Sequence, residues 1–315
     1  MKTLLSFLTL AALTSFPLQA EPARTTAAGV PLLTLNNGTQ MPQFGIGTFN
    51  QGSDEICYNS VLAALRSGYR HIDTAHAYLD ERGVGRAVKQ FCQESGVPRK
   101  EIWVTSKLWP TEYDDAAGAI DRMLSRLGTD YVDLLYVHQA VGNYMDAWRA
   151  MEKAVADGKV RALGISNFDY SDEALDEIIT KSKIKPAIIQ LELHPYAQRV
   201  EARKKAAKYG LAVEGWFPLG HGDSGLLSDP VLSEIATAHS KTVAQVILRW
   251  HIQEGFSVIP GSKNPMHIEE NISIFDFALT DDEMRQIRSL NREQRFFTLN
   301  FEQVKDFSFG VKLED

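Results

Sequence analysis

Three side chains that can carry charge or move protons follow short apolar runs of the sequence. Asp73 ends one run, Lys107 follows the next, and His138 follows the one after that. A buried core would place Val or Leu at such positions. An aspartate and a lysine confined to one small space would form an ion pair, because burying either charge alone is costly. The cation would favour the anion of a neighbouring phenol, and Tyr78 is the nearest candidate. The set predicts proton-transfer chemistry.

The elements that must position these residues alternate regularly along the chain. Segments with helical spacing, such as 54–67, 115–127, 144–156 and 172–179, separate eight short apolar runs. Strands alternating with helices indicate a parallel sheet, and eight repeats are the number that closes an α/β barrel, the (β/α)8 or TIM barrel. The runs are 44–47, 71–73, 102–105, 131–137, 160–165, 188–192, 211–213 and 256–259.

An open doubly wound sheet is the alternative architecture. That fold needs a G-x-G-x-x-G motif after its first strand, where glycines admit a pyrophosphate. The first run here continues as Gly45-Ile46-Gly47-Thr48-Phe49 and lacks the third glycine. The barrel is therefore favoured.

The two ends of the barrel domain, 31–315, carry different signals. Asn36-Asn37-Gly38 lies between the short runs 32–35 and 40–43, which is a strong hairpin signal. We expect this N-terminal β-hairpin to cap the bottom of the barrel. The tail 296–315 has no clear period, and we interpret it as a loop with a packing segment.

The first twenty residues carry a sequence pattern that differs from that of the rest of the chain. Lys2 precedes an apolar stretch, 4–13, and the small residue Ala20 follows. This pattern predicts a secretory signal peptide over residues 1–20, with a linker over 21–30. Cleavage would place the protein in the periplasm or outside the cell, and an uncleaved chain would be cytoplasmic.

Composition excludes several classes of function. The 315 residues include 33 Lys+Arg and 40 Asp+Glu, for a formal net charge of −7, without a long basic run. Nucleic acid is therefore not an expected partner, and no segment after the leader predicts a membrane span. Cys57 and Cys92 lack the spacing of a metal site. We expect buried free thiols and no bound metal.

Seven short motifs occur in order along the chain, each beside a predicted strand end or on the last helical segment. Through these motifs the sequence resembles the aldo-keto reductase family over roughly residues 30 to 300, and within it the diketogluconate-reductase-like bacterial group. The motifs are HIDTAHAY at 71–78, TSKLW at 105–109, DLLYVH at 133–138, GISNF at 164–168, QLELHP at 190–195, PLG at 218–220 and EEN at 269–271.

The resemblance implies reduction of an aldehyde or ketone with a nicotinamide cofactor bound in extended form. By that match Asp73, Tyr78, Lys107 and His138 form the catalytic tetrad. Hydride passes from the nicotinamide to the carbonyl carbon and Tyr78 delivers the proton, while His138 orients the carbonyl oxygen. Trp109, together with His138, is expected to bind the substrate.

The resemblance also implies a set of cofactor contacts. Each matched position carries one role, from the carboxamide at one end to the adenine at the other. They are Ser166, Asn167 and Gln190 for the carboxamide, Trp216 for stacking on the nicotinamide, Leu219 for the pyrophosphate loop, Ser262 and His267 for the segment that faces the 2′-phosphate, and Glu270 and Asn271 for the adenine.

One departure from the family pattern bears on the choice of cofactor. Gly261 and His267 replace the Lys and Arg that hold the 2′-phosphate of NADPH, so two full charges facing a dianion are lost. Lys263 can compensate only in part. We therefore expect NAD(P)H as the cofactor, with NADH use or dual use favoured.

Two functions remain open at this stage. The first is reduction of a small aldehyde, dicarbonyl or keto sugar by a monomeric enzyme. The alternative is a cofactor-binding regulatory or redox-sensor subunit on the same fold, because fold does not fix function. The intact tetrad favours catalysis. Substrate choice is expected to depend on the loops 48–51, 109–113 and 139–143 and on the tail.

Overall fold

The computed structural model describes residues 25–313. The strands are β1 Leu32–Thr34, β2 Gln40–Pro42, β3 Ile46–Gly47, β4 His71–Asp73, β5 Trp103–Leu108, β6 Val132–Val137, β7 Val160–Ser166, β8 Ile188–Glu192, β9 Ala212–Trp216 and β10 Ser257–Val258. The helices are α1 Asp54–Arg66, α2 Glu81–Ser95, α3 Ala116–Leu127, α4 Tyr144–Ala156, α5 Asp172–Lys181, α6 Val200–Lys208, α7 Ser224–Leu227, α8 Pro230–His239, α9 Val243–Gln253, α10 Pro265–Ile272, α11 Asp281–Ser289 and α12 Phe301–Gly310.

Strands β3 to β10 form one parallel sheet in chain order. Its two edges meet, since the Gly45 N–H donates to Val258 O at 3.0 Å and the Val258 N–H donates to Gln43 O at 3.0 Å. The sheet is thus closed, and the predicted (β/α)8 barrel is confirmed. Because all eight strands run the same way, their carboxyl ends surround one mouth.

The predicted hairpin lies at the opposite end of the barrel. Strands β1 and β2 pair antiparallel with Leu33 opposite Met41. The Asn36 side chain in the turn donates to Pro186 O, just before β8, at 2.8 Å. Leu35 and Met41 are buried against residues from the start of the barrel strands. The hairpin therefore closes the bottom with apolar side chains.

The structure describes the segment before the hairpin from residue 25 onward. The signal peptide over 1–20 lies outside the described residues. Of the predicted linker, residues 25–30 form a turn in which the Thr26 N–H donates to Val30 O at 2.8 Å. Val30 is fully buried in the core, so this part of the segment packs on the barrel.

The tail was expected to be a loop with a packing segment, and in the structure residues 301–310 of this tail form helix α12. Asn300 and Gln303 cap each other's backbone N–H groups at the start of this helix. Only Val304 and Ser308, one turn apart, are buried on its inner face. A face this narrow leaves no apolar period in the sequence, and the capping pair was the one signal of the helix that the sequence contained.

Both cysteines are free thiols, Cys57 buried and Cys92 partly buried. Within residues 25–313, none of the helices combines the length and apolar character that crossing a membrane requires. The same residues contain no group of three or more His, Cys, Asp or Glu arranged to hold a metal ion.

Candidate active site

Lys107 is the centre of the polar group at the barrel mouth. It is the second-last residue of β5, and its side chain is fully enclosed. Its Nζ donates to Asp73 Oδ1 at 2.5 Å, to Thr74 O at 3.1 Å and to Tyr78 Oη at 3.2 Å. An ammonium group has three hydrogens and no acceptor, so these three oxygens account for all of its donors.

The hydrogen-bond direction decides what Tyr78 can do. Since Lys107 can only donate, the Tyr78 oxygen is the acceptor in their contact, and the phenolic hydrogen remains available for another group. Burial raises the pKa of Tyr78 to about 12, although the Lys107 cation lowers it. At neutral pH Tyr78 is therefore a protonated phenol that can donate to an oxygen in the mouth.

The ion pair below Tyr78 is held inside the barrel wall. Burial works against the charge of Lys107, but Asp73 and Tyr78 outweigh it and raise the pKa of Lys107 above its ordinary value. The second oxygen of Asp73 accepts from Gln190 Nε2 at 2.9 Å. Breaking a buried pair of this kind leaves one charge uncompensated. Asp73 therefore fixes the position of Lys107.

His138 directly follows β6, the strand that pairs with β5 on the side away from β4. Its ring centroid is 5.8 Å from that of Tyr78 and 4.8 Å from that of Trp109. Burial, followed by the Lys107 charge, lowers the pKa of His138 well below its usual range. The imidazole is therefore neutral, with one N–H group available to donate to a carbonyl oxygen.

Trp109 contributes a wall of this space. Its backbone N–H is held by Glu112 Oε2 at 2.9 Å, and Glu112 in turn contacts His76, two residues before Tyr78. The Trp109 indole N–H donates to Ser308 O of helix α12 at 2.7 Å. The indole donor is thus occupied by the tail, and the ring presents an apolar surface to the mouth.

Two of the three predicted carboxamide contacts, Ser166 and Asn167, form one hydrogen-bonded group with the predicted stacking ring, Trp216. Asn167 Nδ2 donates to His138 O and to Ser166 Oγ, each at 3.1 Å, and the Trp216 indole N–H donates to Asn167 Oδ1 at 3.1 Å. Asn167 therefore orients the Trp216 ring, and its Oδ1 keeps a second lone pair that can accept another hydrogen bond. A contact of Asn167 with the carboxamide stays a prediction.

The remaining polar atoms fit a carboxamide. Ser166 Oγ accepts from Asn167, and no acceptor among residues 25–313 takes its hydroxyl hydrogen, which leaves one donor. Gln190 uses Nε2 on two carboxylates, and its Oε1 receives no hydrogen bond from the described residues, which leaves one acceptor. A carboxamide presents the matching acceptor and donor, so these residues suit the nicotinamide end of the cofactor.

The other predicted cofactor residues lie apart from the tetrad. Ser262, His267, Glu270 and Asn271 belong to the loop and helix after β10, while Leu219 follows β9. Ser262 Oγ accepts from the Asn264 N–H at 3.1 Å, and Glu270 accepts from Thr242 Oγ1 at 2.6 Å. Within the described part of the chain, no hydrogen bond joins this second group to the first.

The loop after β10 explains one departure from the family pattern. A Cβ atom at Gly261 would lie 3.0 Å from the backbone oxygen of Gly47, which is tighter than ordinary packing. His267 is exposed near the start of α10, and Lys263, also exposed, extends toward Gly52. A side chain at position 261 would therefore require the Gly47 backbone to shift by a few tenths of an ångström.

Sequence reasoning missed several residues that complete the site. Thr74 supplies a backbone acceptor to Lys107, and Ser308 reaches Trp109 through a backbone oxygen; neither contact has a side-chain signal. Glu214 is fully buried on β9 and contacts Gln190 at 2.7 Å. Its signal was present, because a charged residue between Val213 and Trp216 is unusual for a buried strand.

Comparisons with known proteins agree with this geometry. The profile of the Aldo/keto reductase family matches residues 41–292. The chain is 42% identical over 267 residues to a 9,11-endoperoxide prostaglandin H2 reductase of Trypanosoma cruzi, covering 84% of this chain and 92% of that protein. It is 43% identical over 264 residues to a glyoxal reductase of Bacillus subtilis, covering 83% and 93%.

A solved structure is similar over the same region. The aldo-keto reductase of Bombyx mori in complex with NADP superposes with a TM-score of 0.81 at 31% identity, covering 88% of this chain and 97% of that chain. The region that the family profile matches, residues 41–292, contains all eight barrel strands and every predicted tetrad position. The chain therefore belongs to the aldo/keto reductase family, whose members are oxidoreductases that use NAD(P)H.

Proposed function

We propose that this protein reduces an aldehyde or ketone to the alcohol, with Tyr78 as the proton donor. The observation that carries the proposal is the direction of the Lys107–Tyr78 hydrogen bond at 3.2 Å. It leaves the phenolic hydrogen free beside His138 and Trp109. A cofactor-binding subunit without catalysis would not need a phenol positioned in this way.

Each tetrad residue has a separate task in the proposed reaction. The bound nicotinamide supplies the hydride for the carbonyl carbon. Negative charge then develops on the carbonyl oxygen, and Tyr78 transfers its proton to that oxygen while neutral His138 donates a hydrogen bond to it. Lys107 stabilises the phenolate that remains, and Asp73 keeps the ammonium group in place. The phenol regains its proton from solvent after the alcohol leaves.

The walls of the mouth favour small aldehydes and dicarbonyls over keto sugars. Phe49 lies 5.2 Å from Tyr78, and Phe307 lies 5.9 Å from Trp109, both measured between ring centroids. Since the Trp109 N–H is already occupied, the hydroxyl groups of a sugar would meet aromatic faces and lose hydrogen bonds to water. The glyoxal reductase among the relatives acts on a dicarbonyl by name.

We also propose NADH use or dual use. A dianionic 2′-phosphate gains most from bidentate arginine and from lysine, and positions 261 and 267 carry Gly and His. His267→Arg should therefore improve the Kd of NADPH by roughly ten-fold, the value of one charge-assisted hydrogen bond, and leave the Kd of NADH unchanged. A wild-type KM for NADPH far below that for NADH would contradict the proposal.

The decisive test of the reductase function is Tyr78→Phe. We expect the variant to lose about 10²- to 10⁴-fold in kcat/KM with methylglyoxal and simple aldehydes, because general acid catalysis is removed. NADH binding, followed by quenching of tryptophan fluorescence, should be unchanged. Tight cofactor binding by the wild type without turnover of any carbonyl would instead support a sensor.

A further inference from the structure

Glu214 is a fully buried carboxylate inside the barrel, one layer below the catalytic group. Three side chains donate to it. Gln190 Nε2 and Tyr136 Oη donate to Oε1 at 2.7 and 3.0 Å, and Ser257 Oγ donates to Oε2 at 2.6 Å. Side chains from three different strands, β6, β8 and β10, therefore hold the Glu214 carboxylate in place. This residue has no place in the proton-transfer steps above.

The barrel is built to admit this arrangement. The ring of Tyr136 on β6 lies against Gly164 on β7, where a Cβ atom would be 2.4 Å from the ring. The glycine therefore gives the ring the space to reach across the barrel to β9. His71 Nε2 is 3.8 Å from Glu214 Oε2, and burial lowers the pKa of His71 to about 4. A neutral histidine does not neutralise the Glu214 charge.

The contact between Glu214 and Gln190 fixes the orientation of an amide. Gln190 Nε2 has two hydrogens, and the structure directs one to Asp73 Oδ2 at 2.9 Å and the other to Glu214 Oε1 at 2.7 Å. Two carboxylates accept from the same nitrogen, so the reversed amide would place Oε1 against two negative oxygens. The Gln190 oxygen must therefore point away from both carboxylates.

We propose that Glu214 is a positioning residue for the cofactor: with Asp73 it clamps the Gln190 amide so that only the acceptor Oε1 faces the nicotinamide carboxamide. The inference rests on the cofactor contacts proposed above for Ser166 and Gln190. An acceptor at this point selects the carboxamide NH₂ group and fixes which way the carboxamide is turned. Without Glu214, the second N–H of Gln190 competes with Oε1 for the position facing the cofactor.

The test compares two cofactors that differ at one group. 3-Acetylpyridine adenine dinucleotide carries a methyl ketone in place of the carboxamide, so it has the acceptor oxygen but no NH₂ donor. We expect wild-type protein to bind NAD⁺ on the order of ten-fold more tightly than the analogue, as one net hydrogen bond provides. Binding is measured by tryptophan fluorescence or calorimetry, without turnover.

Two substitutions separate the acceptor of Glu214 from its charge. Glu214→Met removes the acceptor, and the affinity ratio between NAD⁺ and the analogue should fall several-fold. Glu214→Gln keeps an oxygen that can accept from Gln190 while removing the charge, so the ratio should stay at the wild-type value. Ser257→Ala is the matched control, because it removes a donor to Glu214 and leaves the Gln190 contact intact.

Glu214→Met leaves the hydroxyl groups of Tyr136 and Ser257 without their acceptor, so this variant is expected to be less stable. Where it does not fold, Glu214→Met is made in a Tyr136→Phe/Ser257→Ala background, which removes both stranded donors, and is compared with that background. A ratio that stays at the wild-type value when Glu214 becomes Met overturns the inference. A ratio near one in wild-type protein overturns both the inference and the Gln190 contact, whereas loss of turnover in Tyr78→Phe still tests the reductase function.

Discussion

At the scale of single residues, the site is governed by how many hydrogens each nitrogen has. Lys107 has three and places all of them on oxygens of Asp73, Thr74 and Tyr78. Gln190 Nε2 has two and places both on carboxylates. These counts leave the Tyr78 hydrogen and the Gln190 oxygen available to substrate and cofactor. The proposed function depends on these two groups.

The pH dependence of the reaction follows from Tyr78. Reduction requires the protonated phenol, and burial raises the pKa of Tyr78 to about 12. We therefore expect kcat/KM for carbonyl reduction to show no loss on raising the pH from neutral to moderately alkaline values, while alcohol oxidation rises with pH. Steady-state profiles in both directions measure this. A reduction profile that falls through a midpoint near neutral pH would assign the proton to another group.

Asp80 provides a prediction for stability. It is buried after Tyr78, and Thr74 and Thr48 donate to its Oδ1 at 2.6 and 3.1 Å. Burial nevertheless raises its pKa from the ordinary 3.8 to about 6. The folded state therefore binds this proton more tightly than the unfolded chain, so its contribution to stability is full below the unfolded pKa and is lost as the pH rises through 6.

Asp80→Asn should remove that loss. We expect the free energy of unfolding at pH 7 to increase by about 1–3 kcal/mol, and the decline between acidic and neutral pH to flatten. Chemical denaturation at several pH values measures both, with the exposed Asp130→Asn as control. An Asn variant whose stability declines with pH as steeply as the wild type would show that another group is responsible.

At the scale of elements, the parallel strands were predictable and the polar interior was not. The run 71–73 coincides with β4 and the run 188–192 with β8, because each is a buried strand bounded by loop signals. The same logic made Asp73, Lys107 and His138 candidates, since strand ends of a barrel share one mouth, while the tetrad as a set was implied by the family resemblance. The Glu214–Gln190 contact joins different strands and depends on barrel register, which a single sequence does not specify.

Helix α12 is a second feature that the sequence analysis did not predict. The sequence contains its capping pair, Asn300 and Gln303, yet most of its residues are exposed and the inner face is two side chains wide. Its place in the site depends on a backbone oxygen, Ser308 O, that meets the Trp109 indole. Backbone contacts of this kind have no residue type to reveal them.

Removal of α12 should therefore affect the substrate more than the fold. A chain ending at Leu299 loses the Phe307 ring beside Trp109 and frees the indole N–H. We expect the KM for aldehydes to rise several-fold and the Kd for NADH to stay constant, with a small change in Tm because few α12 residues are buried. Phe307→Ala should reproduce the KM effect.

Phe301→Ala is the control for that experiment. Phe301 begins the same helix and is also exposed, so its removal should leave the KM unchanged. Equal effects of the two substitutions, or a Kd for NADH that rises as much as the KM, would mean that α12 supports the barrel generally and does not form a wall of the substrate space.

At the scale of the whole molecule, apolar packing closes one end of the barrel and the candidate active site lies at the other. The hairpin fills the bottom with Leu35 and Met41, whereas the loops and α12 surround the mouth. The formal charge of −7 gives no general attraction for an anionic cofactor, so the phosphate groups depend on local donors. Cofactor choice is for this reason sensitive to single positions such as 261 and 267.

The segment 1–20 makes a prediction about the whole chain. Its apolar stretch, 4–13, is too short to span a bilayer, and the small residue Ala20 is the last of the segment. Cleavage there leaves residues 25–313, and hence every contact described above, in place. We expect mass spectrometry of protein recovered from the source organism to find a chain that begins at Glu21 in the exported fraction. An intact Met1 on active protein in the cytoplasmic fraction would show that the segment is retained and that reduction takes place where reduced nicotinamide is supplied.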